Sequence, residues 1–205
     1  MGLWGTQVVP RIVDKALGND DVAKWRRRCV EGLSGTVVEP GFGSGLNVPH
    51  YPPAVTHVYA VDPSDVGNDL SEERVASSPA TIERIGLDGE SLALPDDSCD
   101  AGLLTFTLCT IPDHHQALAE LRRVIRPGGT LHFLEHGLAP DGNVQRWQHR
   151  ITPIQRRLFD GCHLNRPIVE DIAAAGFDIL WSDAEYTGPP KPVTWFTVGH
   201  ARNPD

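Results

Sequence analysis

Positive charge is scarce in this chain of 205 residues: 18 Lys and Arg stand against 27 Asp and Glu, for a formal net charge of −9. The basic footprint of a nucleic-acid binder is therefore missing. The short basic runs, Arg26-Arg27-Arg28 and Arg156-Arg157, are flanked by apolar residues at helical spacing and are expected to be solvated helix faces. Cysteine is sparse and scattered, at Cys29, Cys99, Cys109 and Cys162, with no C-x-x-C spacing. A disulfide framework is not expected in a chain of this size, and nothing in the spacing supports a zinc site, so no metal is expected. No apolar run reaches the ~18 residues of a membrane-spanning helix. Met1-Gly2-Leu3-Trp4-Gly5 has neither the charged n-region nor the apolar h-region of a signal peptide. A reduced, cytoplasmic setting is the expectation. With no internal repeat, linker or low-complexity stretch, one domain over residues 1–205 is expected, long enough to bury a real core.

What is present is organised around Val37-Val38-Glu39-Pro40-Gly41-Phe42-Gly43-Ser44-Gly45. Two β-branched residues and an acid run into a Gly-x-Gly-x-Gly turn. That is the form of a buried parallel strand followed by backbone that takes φ > 0 or approaches a ligand closely. A dinucleotide fingerprint would place glycine at position 46, where the chain has Leu46. A tight strand-to-helix turn without a ligand has the same local form, so this stretch alone assigns nothing.

Apolar residues at Val9, Ile12, Val13 and Ala16, then at Val22, Trp25, Cys29 and Leu33, predict two amphipathic helices over 6–17 and 20–33. Gly18-Asn19-Asp20 separates them and supplies an N-cap. Strands are predicted near 36–39, 57–62, 81–87, 101–106 and 130–136. Pro49, Pro52 and Pro53 leave room for only a short helix after the glycine turn, and the polar residues 64–80 read as helix and loop. Over 114–125, Ala117, Leu118, Leu121, Val124 and Ile125 fall on one helical face, and Arg126-Pro127-Gly128-Gly129 ends the helix. Helices over 143–159 and 167–175 and strands over 177–181, extending toward Tyr186, and 194–201 complete the chain. The β-α alternation predicts an α/β fold with a doubly wound, mostly parallel seven-stranded sheet. Its last two strands are joined by Gly188-Pro189-Pro190-Lys191-Pro192 without a helix, which predicts an antiparallel hairpin at the edge.

Ligands of such sheets sit beyond the carboxyl ends of the strands. Glu39 ends the first strand, and Asp62 ends the second, 23 residues later. A carboxylate at Asp62 suits two ribose hydroxyls, or alternatively caps the turn at Pro63-Ser64. Gly89-Glu90-Ser91-Leu92 and Leu94-Pro95-Asp96-Asp97-Ser98-Cys99-Asp100 lead into the fourth strand, which ends in Thr105-Phe106. Leu121-Arg122-Arg123-Val124-Ile125-Arg126-Pro127-Gly128-Gly129-Thr130-Leu131 leads into the fifth. In this order the five segments resemble the class I S-adenosylmethionine (SAM)-dependent methyltransferase family, from residue 35 to about 136. Pro40 departs from the aliphatic residue or glycine usual there and removes a backbone donor.

The resemblance implies a Rossmann-like methyltransferase fold with SAM as cofactor and S-adenosylhomocysteine (SAH) as product. The cofactor-binding residues it implies are Glu39, Gly41, Phe42, Gly43, Gly45, Asp62, Pro63, Gly89, Glu90, Ser91, Thr105 and Phe106. Glu90 would lie beside the adenine amino group, with Thr105 and Phe106 at the methionine end. Further segments look like the branch that includes thiol S-methyltransferases: Cys109-Thr110, Glu135-His136, Asp160-Gly161-Cys162-His163-Leu164 and the proline-rich tail. That likeness implies a small apolar acceptor, a thiol, met by Cys109, Asp160, Cys162 and His163. Methylation of a quinone or lipid precursor is the alternative within the same chemistry. A nicotinamide oxidoreductase is the alternative outside it, against which Leu46 and the Pro-Gly-Gly segment both count.

Methyl transfer from a sulfonium is an in-line displacement governed by proximity and orientation. It demands no metal, and the sequence offers no D-x-D or histidine cluster. A thiol near its ordinary pKa of ~8.5 needs only a modest base or a positive field. His136 and His163 are the candidate catalytic residues, although a histidine serves equally well as a structural hydrogen-bonding group. Cys109 and Cys162 read as pocket wall. Trp4, Trp25, Trp147 and Trp195 are expected to wall the acceptor pocket or to pack ordinarily. Residues 1–34 and 137–165 are expected to form an N-terminal helical lid and an acceptor-side insertion. An amphipathic lid also allows peripheral contact with a membrane.

Overall fold

The computed structural model describes residues 4–86, 88–159 and 161–205; Leu87, expected in the third strand, and Asp160, expected at the acceptor, lie outside them. β1 (Gly35–Pro40), β2 (Val55–Val61), β3 (Thr81–Arg84), β4 (Cys99–Thr105), β5 (Ile125–His136), β6 (Asp178–Tyr186) and β7 (Trp195–Arg202) form one seven-stranded sheet. Its order is β3-β2-β1-β4-β5-β7-β6. The first five strands run parallel, and β7 lies antiparallel between β5 and β6, as the hairpin reading requires. Strand order reverses between β1 and β4, and a crevice of that kind is where such sheets take ligands.

Central strands are apolar on both sides because helices cover both faces. Val37 packs in one core cluster with Val22, Cys29 and Leu33, while its neighbour Val38 packs in the other with Leu118, Leu121 and Ile172. Leu103 and Leu104 divide in the same way, as do Leu134 and Phe133, which is the two-residue period of a strand. The first cluster includes α2 (Asp20–Cys29), and the second includes α4 (His114–Val124) and α6 (Ile168–Ala174). Asn19 caps α2, its Oδ1 accepting from the N–H groups of Asp21 and Val22 at 3.1 Å each. α1 (Val9–Leu17) follows a π-helical turn, Trp4–Val8, and α3 (Asp65–Ala76) and α5 (Gly142–Leu158) complete the helices used below. Among the described residues, no helix is long and apolar enough to cross a membrane.

Several boundaries differ from expectation: α2 ends at Cys29 and not at residue 33, and β2 and β4 each start two residues early, at Val55 and Cys99. The prolines after the glycine turn leave only a 3-10 turn, Val48–His50. β5 starts at Ile125, directly after α4, and not at Thr130: Ile125 pairs with Cys99 and Thr130 with Ala101, so Arg126-Pro127-Gly128-Gly129 bulges out between them. Asn203 holds that bulge. Its N–H donates to Gly129 O and its carbonyl accepts from Gly128 N–H, both at 2.8 Å, and its side-chain amide donates to Ile125 O at 2.6 Å.

His132 on β5 lies beneath the end of α2, its Nδ1 2.8 Å from Cys29 O and its Nε2 3.1 Å from Thr130 Oγ1. His200 on β7 reaches the same carbonyl at 2.9 Å, and the two rings lie 3.8 Å apart. Burial, with His200 alongside, lowers the His132 pKa from 6.5 to about 4. A histidine depressed in this way supports folding fully above its unfolded pKa, and the support is lost as pH falls through the folded value. At ~1.36 kcal/mol per pH unit the contribution is ~3 kcal/mol. Glu39 and Glu135, raised to about 7 by burial, act in the opposite sense. Comparison with His132→Gln therefore isolates the imidazole. In urea unfolding between pH 6.5 and 4, the wild type should lose up to ~3 kcal/mol more than the variant. Parallel pH profiles would show that His132 titrates normally.

Candidate active site

Beyond the carboxyl ends of the strands the chain surrounds a cavity of about 770 Å³. One end is formed by Gly41, Phe42 and Gly43, by Asp62 and Pro63, and by Gly89 and Glu90. Gly41 and Gly43 have φ of +71° and +54°, the left-handed region where a side chain is strained. A Cβ on Gly41 would stand 2.2 Å from Thr107 Oγ1, so packing against the loop after β4 forbids one. A Cβ on Gly43 would meet only Gly41 O at 3.8 Å and Asp62 Oδ2 at 3.9 Å. The space beside Gly43 thus belongs to the cavity and forms a cradle for a bound molecule. Asp62 fixes this turn, Oδ2 accepting from Gly43 N–H and Oδ1 from Ser64 N–H, each at 2.8 Å. Glu90 Oε1 accepts from the N–H of Asp113 at 2.8 Å, at the start of α4.

The floor is polar. Arg26, 4% exposed, donates from one guanidinium nitrogen to Asn47 Oδ1 at 2.7 Å and to Thr105 Oγ1 at 3.1 Å. Asn47 Nδ2 donates to Thr105 Oγ1 at 2.9 Å and to Glu39 Oε1 at 2.8 Å, and the Tyr51 hydroxyl donates to Glu39 Oε2. Burial draws the Arg26 pKa down to about 10 and pushes Glu39 up to about 7, with the Tyr51 and Asn47 hydrogen bonds and the Arg26 charge restraining the latter. Phe106 takes φ of +55°, rare for a residue with a side chain. Its ring stands 5.6 Å from the Arg26 guanidinium, edge-on to Phe196 at 4.9 Å and stacked toward His136 at 6.3 Å.

The opposite end brings together Cys109, His136 and Cys162. Cys162 Sγ lies 3.2 Å from His136 Nε2. The hydrogen bond from Cys109 and the contact with His136 lower the Cys162 pKa against burial, while the same bond and burial raise Cys109. Burial opposes charge on His136, yet the Cys162 hydrogen bond and the charges of Cys162 and Glu135 raise its pKa. The pair is thus drawn toward thiolate and imidazolium. Phe159, Leu164, Val193 and Phe196 make this end apolar, and Val9, Ile12, Val13 and Ala16 of the first helix complete the lining. Trp4 Nε1–H donates to Leu158 O at 2.9 Å, joining the N-terminal turn to the end of α5.

Residues 38–133 match a methyltransferase-domain family model. Thiol S-methyltransferase TMT1B of Rattus norvegicus is 34% identical over 170 residues, an alignment covering 80% of this chain and 67% of that protein. The protein of the same name from Homo sapiens is 32% identical, covering 83% of this chain and 71% of its own. The chain belongs to the class I SAM-dependent methyltransferases. It is an enzyme of that family, related to its thiol S-methyltransferase branch, and transfers a methyl group from SAM. The crystal structure of the [4+2]-cyclase SpnF shares the fold, with a TM-score of 0.72 at 18% identity, over 89% of this chain and 81% of that one.

In this methyltransferase, Gly41, Phe42, Gly43, Asp62, Pro63, Gly89, Glu90, Thr105, Phe106, Cys109, His136 and Cys162 line the same cavity. Glu39, Gly45, Ser91 and His163 stand outside its lining. Glu39 is buried in the floor, and a Cβ on Gly45 would meet the Phe42 ring and Ser71 at 3.3 Å. The Ser91 N–H turns to Asp88 O at 3.4 Å, and His163 Nδ1 lies 3.2 Å from Cys109 O. Asp160 lies outside the described residues. None of Trp4, Trp25, Trp147 and Trp195 lines the cavity; phenylalanines do so instead. Trp4 and Trp147 are half exposed or more, Trp25 packs on Phe196 and Trp195 on Tyr186.

Sequence reasoning missed Arg26, assigned with its neighbours to a solvated face. The signal was its spacing: position 26 falls four residues after Val22 and three before Cys29, both buried, hence on the inward stripe of α2. The glycine contacts yield a test within the motif. Gly41→Ala should cost roughly 1–3 kcal/mol more stability than Gly43→Ala, the range for overpacking, because only the first substitution drives a methyl group into Thr107. Equal losses in denaturant unfolding would remove the packing argument.

Proposed function

We propose that this methyltransferase methylates the sulfur of a small apolar thiol. The observation that carries the reading is the acceptor end of the cavity, where an apolar wall surrounds Cys109, His136 and Cys162, the ionisable lining residues at that end. The name of the TMT1B relatives supports the same acceptor. An apolar wall favours a neutral organic thiol and removes water from the sulfur that must attack. The buried Arg166 supplies positive potential there, which favours thiolate over thiol.

Bound SAM supplies a methyl group already activated by its sulfonium. Gly41, Phe42 and Gly43 give close backbone approach to the methionine portion, and Thr105 and Phe106 flank it. Asp62 with Pro63 serves the ribose, and Gly89, Glu90 and Ser91 the adenine edge. Glu39 acts from below, holding Asn47 and through it Arg26, while Gly45 lets the turn pack on Phe42. His136 is the histidine placed to meet the acceptor. His163, turned to the Cys109 carbonyl, orients the loop beside it, with Asp160 in the same segment. Residues 1–34 serve as lid and 137–165 as acceptor-side insertion within one domain, a division supported by the cavity-facing side of α1 and by the Trp4–Leu158 hydrogen bond. Four cysteines without a disulfide support a cytoplasmic setting.

Incubation with SAM and a panel of aryl thiols, alkyl thiols, phenols and quinones tests the acceptor. Thioethers are the expected products, and methylation confined to phenols or quinones would overturn the reading. The cofactor roles are tested separately: Asp62→Ala should weaken SAH binding by ~1.5–3 kcal/mol in calorimetry, the range for a hydrogen bond to a charged group. An unchanged affinity in a folded variant would confine Asp62 to fastening the turn.

A further inference from the structure

We propose that Cys109, His136 and Cys162 bind one thiophilic divalent cation, zinc by the ligand set, with a coordination position open to the cavity for the acceptor sulfur. Only the last clause rests on the thiol reading. The ligand atoms of the three side chains all lie within 4.8 Å of one another, and Cys162 Sγ and His136 Nε2 are 3.2 Å apart. Zinc takes sulfur at ~2.3 Å and imidazole nitrogen at ~2.0–2.1 Å in a tetrahedron. Neighbouring ligand atoms then stand ~3.5–3.8 Å apart, within a small side-chain adjustment of the arrangement here. Two thiolates and an imidazole select zinc or a softer metal over magnesium or calcium. Three protein ligands and an open side make the arrangement of a catalytic zinc site, whereas a structural one is closed by four.

The segments that carry the ligands are fastened to one another. Glu135, one residue before His136, accepts from Thr107 N–H at 2.7 Å and Leu108 N–H at 3.0 Å, which ties β5 to the Cys109 loop. His163, one residue after Cys162, donates its N–H to Cys109 O at 2.7 Å. Arg166 donates to Leu108 O and, at 2.8 Å, to Ile111 O. A cation entering this cluster would meet ligands already held in position, which lowers the ordering cost of binding. A second observation points the same way. Glu135 is fully buried, and among the described residues its Oε2 has no hydrogen-bond partner. A buried carboxyl oxygen without a partner is costly, and a divalent cation would add its field to that of Arg166, which already faces this carboxyl.

The chemistry balances without another reagent. The acceptor thiol releases its proton to solvent as its sulfur takes the open position. A sulfur lone pair then forms the new S–CH₃ bond, while the methyl–sulfonium bond breaks with its electron pair left on the departing sulfur. A methyl thioether and SAH result. His136 serves as a ligand through a ring nitrogen, so the step needs no general base.

The test is cobalt substitution in the full chain, under reducing, oxygen-free conditions, read by absorption spectroscopy. Stoichiometric Co²⁺ should give a thiolate-to-metal charge-transfer band and the intense visible bands of a tetrahedral site. Cys109→Ala and Cys162→Ala should each weaken Co²⁺ by more than the roughly 10–100-fold typical of losing an outer-shell partner. SAH binding, measured by calorimetry, should survive in both variants and shows that they are folded. Addition of an aryl thiol should shift the bands. No stoichiometric binding, or unchanged bands in both variants, overturns the site. Bands indifferent to every thiol overturn the open position. Full thiol turnover by chelator-stripped enzyme overturns the cation's part and leaves the thiol reading standing, whereas metal binding with no thiol methylated strikes that reading alone.

Discussion

Arg26 carries its charge into a place nearly closed to water, and the cavity floor is arranged around that charge. Its guanidinium holds Asn47 and Thr105, Asn47 reaches on to Glu39, and Tyr51 closes the far side of the carboxylate. Breaking such a buried ionic network by removing one member typically costs ~3–5 kcal/mol, because the remaining charge keeps its desolvation penalty without its compensation. The network also joins α2, the stretch from the end of β1 through the turn after the glycines, and the end of β4. Phe106, in its left-handed conformation, lies against the same guanidinium and turns toward His136. The two ends of the cavity are therefore referenced to one buried cation.

Much of this was legible in the chain. Val37-Val38, Leu103-Leu104 and the apolar stripe of α4 state their burial directly, because a two-sided sheet and a one-sided helix leave different periods. Asp62 and the glycine turn were readable because strand ends and left-handed turns restrict residue type strongly. The Pro-Gly-Gly segment was readable as a stop but not as a bulge. Its form depends on Asn203, some 75 residues away.

The losses have separate causes. Arg26 looked like its neighbours because charge is a weak guide to orientation when a single residue of a basic run turns inward. The four tryptophans were left between pocket wall and ordinary packing, and phenylalanines line the cavity instead, since bulk alone does not say which side of a helix or strand a ring occupies. Cys109, His136 and Cys162 come from three elements, so no spacing rule relates them. Only the closure of two loops onto the end of β5 sets them side by side, and that closure is made by backbone carbonyls meeting His163 and Arg166, contacts without a sequence signature.

The position of β7 has a consequence for synthesis. β7 is the last strand in sequence, yet it lies between β5 and β6, and Val193 and Phe196, just before it and near its start, line the cavity. A nascent chain that has not yet presented Trp195–Arg202 leaves β5 with a bare edge and β6 with no place in the sheet. Edges of that kind recruit other chains. Folding of the site is thus postponed until these residues emerge, and a polypeptide interrupted before them would be a candidate for aggregation and quality control, not a smaller enzyme.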